Sequence, residues 1–345
     1  MSKEAESDEP AETLLRLLGG KWLAAAISAA ASLGLADILA REALSLDDLA
    51  RRIGCQPDGL QRLMRVLLGE GIVSLNATNQ YELSEMGELL RKDELGELAR
   101  FVGSPFSWDP WSTLAESIRT GESAFAKHHG LPLFEYLDHH REHAELYHHA
   151  IDAFSRREAQ AVAEAYDFSK ARRVADIGGG RGRLLIEVLS RWDHLTGVLF
   201  ERPTAAELAA KALRRAHLEK RCEVRIGDFF EELPDDIDVC VLMHIIHSWD
   251  DETATRLLRR CADAVGPDGT LLIIEGLLVP GAHRDLTNLL DLEMLVLCGP
   301  GHERRKPEMR RLISAAGLRL HDAVPLVGGI RLLIVRPRSA SRRDD

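Results

Sequence analysis

The chain has 345 residues, 45% of them hydrophobic, enough for two domains with cores of their own. It carries 44 Lys and Arg against 55 Asp and Glu, a net charge of −11, which argues against a general nucleic-acid or anionic-membrane partner. The acidic start MSKEAESDEPAE does not suit a signal peptide, no apolar run reads as long enough to cross a membrane, and five scattered cysteines without a C-x-x-C pair point to a reduced, cytoplasmic protein.

Residues 1–11 read as a disordered tail and 12–98 as a first domain. Leu14 to Leu39 is helical and Ala-rich, apolar on nearly all sides in its second half, which suits burial against a second subunit or within one chain. Ser45 caps a helix that ends at Ile53, a turn spans Gly54 to Pro57, and a second helix runs from Asp58 to Leu68. Ile72 to Leu75 and Gln80 to Leu83 then alternate as two short strands. Helix, turn, helix and hairpin describe a winged helix. Its second helix offers Arg62 and Arg65 to DNA, but the acidic balance favours a structural or dimerisation role.

Residues 99–165 are mostly helical and rich in Trp, Phe, Tyr and His, including Trp111, Phe125, Phe134, Tyr147 and Phe154. Such a segment can line a pocket for a flat aromatic substrate. Its histidines, from His128 to His149, lack metal-ligand spacing and read as solvated helix faces. From 166 to 338 the pattern alternates strand and helix, with strands expected at 173–177, 197–201, 223–227, 238–242, 270–275 and 330–335. That is an α/β domain with a Rossmann-like, doubly wound sheet. Residues 339–345 form a charged tail.

Within this domain RRVADIGGGRGRLLIEVLSRWDHLTGVLFE reads as strand, glycine turn, helix and strand. Gly178 and Gly180 belong to a turn whose backbone can approach a ligand closely. Glu201 closes the second strand, where an acid accepts hydrogen bonds from both ribose hydroxyls. Arg183 falls where a dinucleotide fingerprint needs its third glycine, and Asp176 ahead of the turn would repel a pyrophosphate while suiting a cation. An adenosine cofactor without phosphates fits best, and S-adenosylmethionine is the candidate.

Later strands bring more chemistry to their carboxyl ends. Asp228 can accept from an adenine amino group while Phe229 packs on the ring. The fourth strand runs into His244-Ile-Ile-His247, and a neutral imidazole there can take a hydroxyl proton. Glu275 at the end of the next strand can orient such an imidazole. Glu303 follows a Gly/Pro loop that reads as mobile and as delivering it to a site. His244 and His247 could pair on a metal, with Asp250 and Asp251 as oxygen ligands, but no further His or Cys has suitable spacing, so no metal is expected.

Taken together, the whole chain resembles the small-molecule S-adenosylmethionine-dependent O-methyltransferases of the plant caffeate and bacterial antibiotic-tailoring type. VADIGGGRG is similar to the cofactor loop, LFERP to the strand ending in the ribose acid, and GDFFE to the adenine-binding pair. HIIHSWDDE resembles a His-Asp-Trp-x-Asp motif, IIEGLLVP and GPGHERR carry the two flanking acids, and RTGESAF the substrate-lining segment. The resemblance implies a winged-helix dimerisation domain, a homodimer and methylation of a hydroxyl, most simply phenolic, on an aromatic secondary metabolite. It makes His247 the base, flanked by Glu275 and Glu303. Ser248 stands where the motif has Asp, and Met243 where a cofactor-contacting Lys is common. The alternatives are a relative repurposed for hydroxylation, decarboxylation or a pericyclic step, and a winged-helix DNA-binding regulator.

Overall fold

The computed structural model describes residues 9–281 and 284–338. The expected tail at 339–345, and all but the end of the one at 1–11, lie outside them. Two compact units divide the chain, Met1–Trp108 and Asp109–Asp345. The break falls at Trp108 rather than near 98 because the helix Glu97–Val102 packs on the helix Gly20–Ser32 of the first unit.

In the first unit, helix begins at Pro10, inside the expected tail. Pro fits the first helical position, and Glu12 in the first turn favours the N-terminal dipole. The helical stretch expected from Leu14 to Leu39 is interrupted at Gly19 and broken again at Gly34, which has φ +65°. Ser45 accepts the Asp48 N–H at 3.2 Å and caps the helix Leu46–Ile53, which Gly54 ends in the left-handed region at φ +77°. The helix Pro57–Gly69 and an antiparallel pair, β1 (Val73–Leu75) and β2 (Tyr81–Leu83), follow in the expected order. Leu35, Leu49, Leu60, Met64, Leu67 and Ile72 form the core. Outside it, Leu14, Leu15, Leu17, Leu18 and Trp22 are exposed, Trp22 by 76%. Pro10–Ser32 is 23 residues long and contains an 18-residue window of mean hydropathy 1.3, so by length and composition alone it reaches membrane-spanning size. Arg16 and Lys21 interrupt that window, so no unbroken apolar run shows in the sequence.

The second unit holds the large sheet. Its strands are β3 (Arg173–Ile177), β4 (Thr196–Glu201), β5 (Cys222–Ile226), β6 (Val239–Met243), β7 (Thr270–Leu278), β8 (Arg304–Arg305), β9 (Leu318–Pro325) and β10 (Ile330–Pro337). The order is β5-β4-β3-β6-β7-β10-β9, with β8 paired to β7. β3 to β7 are parallel, whereas β10 runs antiparallel to both β7 and β9. The sheet is therefore mixed. β9 escaped the sequence reading because most of its residues are only partly covered, and β10 runs two residues past the strand expected at 330–335, to Pro337.

Buried strands of a parallel sheet are apolar on both faces. Val174, Val241 and Leu272 pack with the helices Arg183–Arg191 and Arg141–Ala165 on one side. Ala175, Leu242 and Ile273 pack with Leu257, Leu258, Leu312 and Ile313 on the other. Strand order reverses between β3 and β6, which opens a crevice at their carboxyl ends.

Candidate active site

The topology sets one candidate residue or loop at the carboxyl end of each parallel strand. Asp228 follows β5, Glu201 ends β4, Gly178 follows β3, Met243 ends β6 and Glu275 lies in β7. The β4–β5 ladder runs to Glu201 and Ile226, and the Gly227 N–H donates to the Glu201 carbonyl at 3.2 Å. The Gly178 N–H donates to the Phe200 carbonyl at 2.8 Å, tying the glycine turn to the next strand.

That turn needs its glycines. Gly178 has φ +70°, and a Cβ there would stand 2.5 Å from Ile245 Cδ1. A Cβ at Gly179 would stand 2.3 Å from Asp176 Oδ2. Asp176, Gly178, Gly179, Gly180 and Met243 line one recess together with His148, Asp152, Ser155, Arg181, Arg183 and His244. Glu201, Asp228 and Phe229 lie outside that lining, on the adjoining strand ends.

Asp176 is 1% exposed, and its Oδ1 has no hydrogen-bond partner among the described residues. Burial pushes its pKa to about 7. Burial also pushes Glu201 to about 7, against the Arg202 N–H that bonds its Oε2 at 2.7 Å. Both acids therefore favour a ligand that brings hydroxyls and positive charge. Arg181 and Arg183 both bind Asp152, at 3.0–3.1 Å, so these cations are engaged rather than presented to phosphates. An adenosine cofactor without phosphates fits these residues. Asp228 Oδ1 accepts the Phe230 N–H at 2.7 Å, leaving its second oxygen for another donor, and Phe229 packs edge-on against Phe230 and Trp249.

The imidazole site is built across β7 and β8. Their register sets Leu277 opposite Arg304, which carries Glu303 alongside Gly276. Gly276 has no room for a side chain, since a Cβ would meet Thr287 Cγ2 at 2.9 Å and Glu303 Oε2 at 3.4 Å. His247 Nδ1 lies 2.8 Å from Glu303 Oε1 and 3.5 Å from Glu275 Oε2. Glu275 Oε1 accepts the backbone N–H groups of Ile245, Ile246 and His247 at 3.1, 2.7 and 3.3 Å. Burial opposes a charge on His247, but Glu275 and then Glu303 outweigh it and raise its pKa. With Nδ1 donating to Glu303, Nε2 is the nitrogen left to take a proton. The loop that reads as mobile is packed instead. A Cβ at Gly301 would stand 2.7 Å from the His247 carbonyl oxygen, and Glu303 is 2% exposed.

Several residues were not singled out by the sequence. Arg304, 1% exposed, donates to Asp251 and to the carbonyls of Ile246 and Trp249, pinning the His247 loop to β8. His244 Nε2 meets Glu158 Oε2 at 2.5 Å. His148, Ile151, Asp152, Ser155 and Glu158 recur at i, i+3, i+4, i+7 and i+10 on the helix Arg141–Ala165. This helical stripe was the available signal, obscured by the aromatic and His content around it. The histidines read as solvated are partly packed: Tyr136 stacks on His140 and His143, and burial lowers the His148 pKa to about 4. His244, His247 and Glu275 bring ligand-capable atoms within 4.8 Å of one another. Those contacts already engage Glu158, Glu303 and three backbone N–H groups.

Near His247, burial pushes the Cys298 thiol to about 12, with Ser248 acting in the opposite direction. Burial raises Glu293 to about 7, with Trp111 acting in the opposite direction, and burial raises Tyr147 as well.

Comparison with known proteins gives two matches along the chain, an O-methyltransferase dimerisation domain over residues 15–93 and an O-methyltransferase domain over 111–319. The chain is 37% identical to the mitomycin biosynthesis 6-O-methyltransferase of Streptomyces lavendulae, over 94% of each protein. It is 34% identical to the aclacinomycin 10-hydroxylase RdmB of Streptomyces purpurascens, over 91% of this chain and 86% of that one. The structure of the neocarzinostatin-biosynthesis O-methyltransferase NcsB1, in complex with S-adenosylmethionine and 2-hydroxy-5-methyl naphthoic acid, matches with TM-score 0.74 at 30% identity. That match covers 91% of this chain and 95% of the other.

Proposed function

The chain belongs to the S-adenosylmethionine-dependent O-methyltransferases, with a dimerisation domain ahead of the methyltransferase domain, and from that premise we propose that it methylates a phenolic hydroxyl of an aromatic secondary metabolite with His247 as general base. The observation that carries this reading is the buried His247–Glu303 contact at 2.8 Å, backed by Glu275. It holds Nδ1 protonated and directs the basic Nε2 away from the acids. His247 Nε2 takes the hydroxyl proton, and Glu303 and Glu275 stabilise the imidazolium that forms. When bound, S-adenosylmethionine supplies a methyl group activated by its sulfonium. Glu201 receives the ribose hydroxyls, Asp228 and Phe229 the adenine, and Gly178, Gly180, Met243 and Asp176 the remainder. The aromatic-rich helical segment, with Trp111 and Tyr147, supplies the substrate side. The test is a labelled-cofactor assay across phenols and catechols. A methyl mass gain on the product is expected, and products formed only without it would sink the reading.

That outcome would instead point to a repurposed relative, the second reading that likeness to a hydroxylase keeps open. The exposed Leu14, Leu15, Leu17, Leu18 and Trp22 support a homodimer through the N-terminal domain.

Asp176 and Glu201 also predict how cofactor affinity follows pH. Their pKa values are raised to about 7, so the folded chain without cofactor favours their neutral forms. The stability they contribute is present below the unfolded carboxylate range and is lost as pH rises through 7. Cofactor hydroxyls and positive charge favour the ionised acids, so binding releases protons. Affinity by calorimetry should be about 10-fold tighter at pH 8 than at pH 6, and the cofactor-induced rise in Tm should grow in step. A flat profile would remove these acids from the cofactor contacts.

A further inference from the structure

We propose that His244 and Glu158 form a second working pair in this site, a buried imidazolium held by a carboxylate, whose positive charge opposes protonation of His247 and keeps that ring in its proton-accepting form. The proposal rests on His247 being the base. It makes His244 a positioning and tuning residue, not one that meets the reacting atoms.

The geometry begins with the backbone. His244 follows β6 directly and adopts φ +54°, a left-handed conformation that a non-glycine residue takes up only when its surroundings hold it there. Two contacts hold it there. Its N–H donates to the Ile274 carbonyl at 3.0 Å, and its Nε2 meets Glu158 Oε2 at 2.5 Å. Both side chains are 9% exposed, and Phe154 packs over the imidazole with ring centres 5.8 Å apart. A buried carboxylate beside an imidazole favours the charged pair, since neither group has water to fall back on. Burial pushes the His244 pKa down, and Glu158 more than reverses this, to about 9.

The His244 and His247 rings lie 5.5 Å apart at 34°. Facing His247 are Glu275 from β7, Glu303 from the lead-in to β8, and His244 itself. Facing His244 are Glu158 from the helix Arg141–Ala165, then Glu275 and Glu303. The recess that His244 lines also holds Asp176, His148 and the Arg181–Arg183–Asp152 cluster. Two carboxylates therefore draw a proton onto His247, and a base already protonated cannot accept one. His244 supplies an opposing charge, and in a buried site a charge at this range moves a neighbouring pKa by about one unit or more.

The test has two arms. In the first, ring signals of the full-length protein labelled in His are followed by NMR against pH, with His244 assigned through its contact with Phe154. His244 is expected to stay protonated past pH 8, and titration below pH 7 would overturn the proposal. This arm reads His244 directly, so its result is separate from whether His247 is the base. In the second, kcat/KM is measured against pH. Glu158→Gln and His244→Asn should each move the acid limb up by about one unit, the position of the limb and not the height of the plateau being the readout. His244→Arg, which keeps the charge, should hold the limb near that of the unsubstituted protein. A uniform fall in rate with the limb unmoved would reduce the pair to packing and overturn the assignment. Should the variants fail to fold, the first arm decides.

Discussion

Replacing His247 with Gln should lower methyl transfer by about 10²- to 10⁴-fold, the range that positioned proton transfer supplies. Cofactor binding should persist, because the glycine turn, Glu201 and Asp228 lie on other strands. Gln preserves much of the volume and gives Glu303 and Glu275 an amide donor, so little of the loss should come from unfolding. The acid limb of the pH profile should vanish with the imidazole. In the unsubstituted protein that limb should lie above the usual His value near 6.5, since the two carboxylates raise the His247 pKa. Turnover is measured with a substrate found in the phenol panel, and calorimetry gives cofactor affinity. Unchanged turnover with a folded variant would end the general-base role.

Glu275→Ala should be the most damaging single change to both fold and rate. One oxygen of this 1%-exposed acid accepts three consecutive backbone N–H groups. Removing it orphans donors at about 1–3 kcal/mol each, so the unfolding free energy should fall by about 3 kcal/mol or more. The loop that carries His247 loses its anchor at the same time. Glu275→Gln separates the two roles. Its amide oxygen still accepts the three N–H groups, so stability by denaturant titration should be largely kept. The charge is gone, so the His247 pKa falls and the acid limb moves down. An alanine variant as stable as the parent would show that the N–H groups find other acceptors.

The parts of the fold that sequence makes legible are those where one element satisfies itself. Ser45 with Asp48, Gly54, and the strand–glycine–helix run of β3 are local patterns with local causes. The apolar parallel strands emerge within one or two residues at most ends, β7 running further. β9 did not, because a half-covered strand beside the antiparallel β10 lacks a sharp period. His247, Glu275 and Glu303 were legible through motif order, but their geometry was not. The packing of Glu303 depends on a two-residue β8 and on the missing Cβ of Gly276, which only the β7–β8 register reveals. The carboxylates Asp152 and Glu158 were missed for a related reason. Their partners Arg181, Arg183 and His244 are 29, 31 and 86 residues away in the chain.

Because one helix carries both of those carboxylates, this fold resists modular exchange. A chimera that imports residues 109–165 from a relative to change substrate preference would also replace the counter-ions of the glycine turn and of the loop behind β6. Recombination breakpoints inside Arg141–Ala165 would leave half-buried arginines or the His244 ring without partners, whatever pocket they delivered. Substrate range in this scaffold should therefore be retuned more readily by point changes upstream of Arg141 than by grafting the whole helical segment.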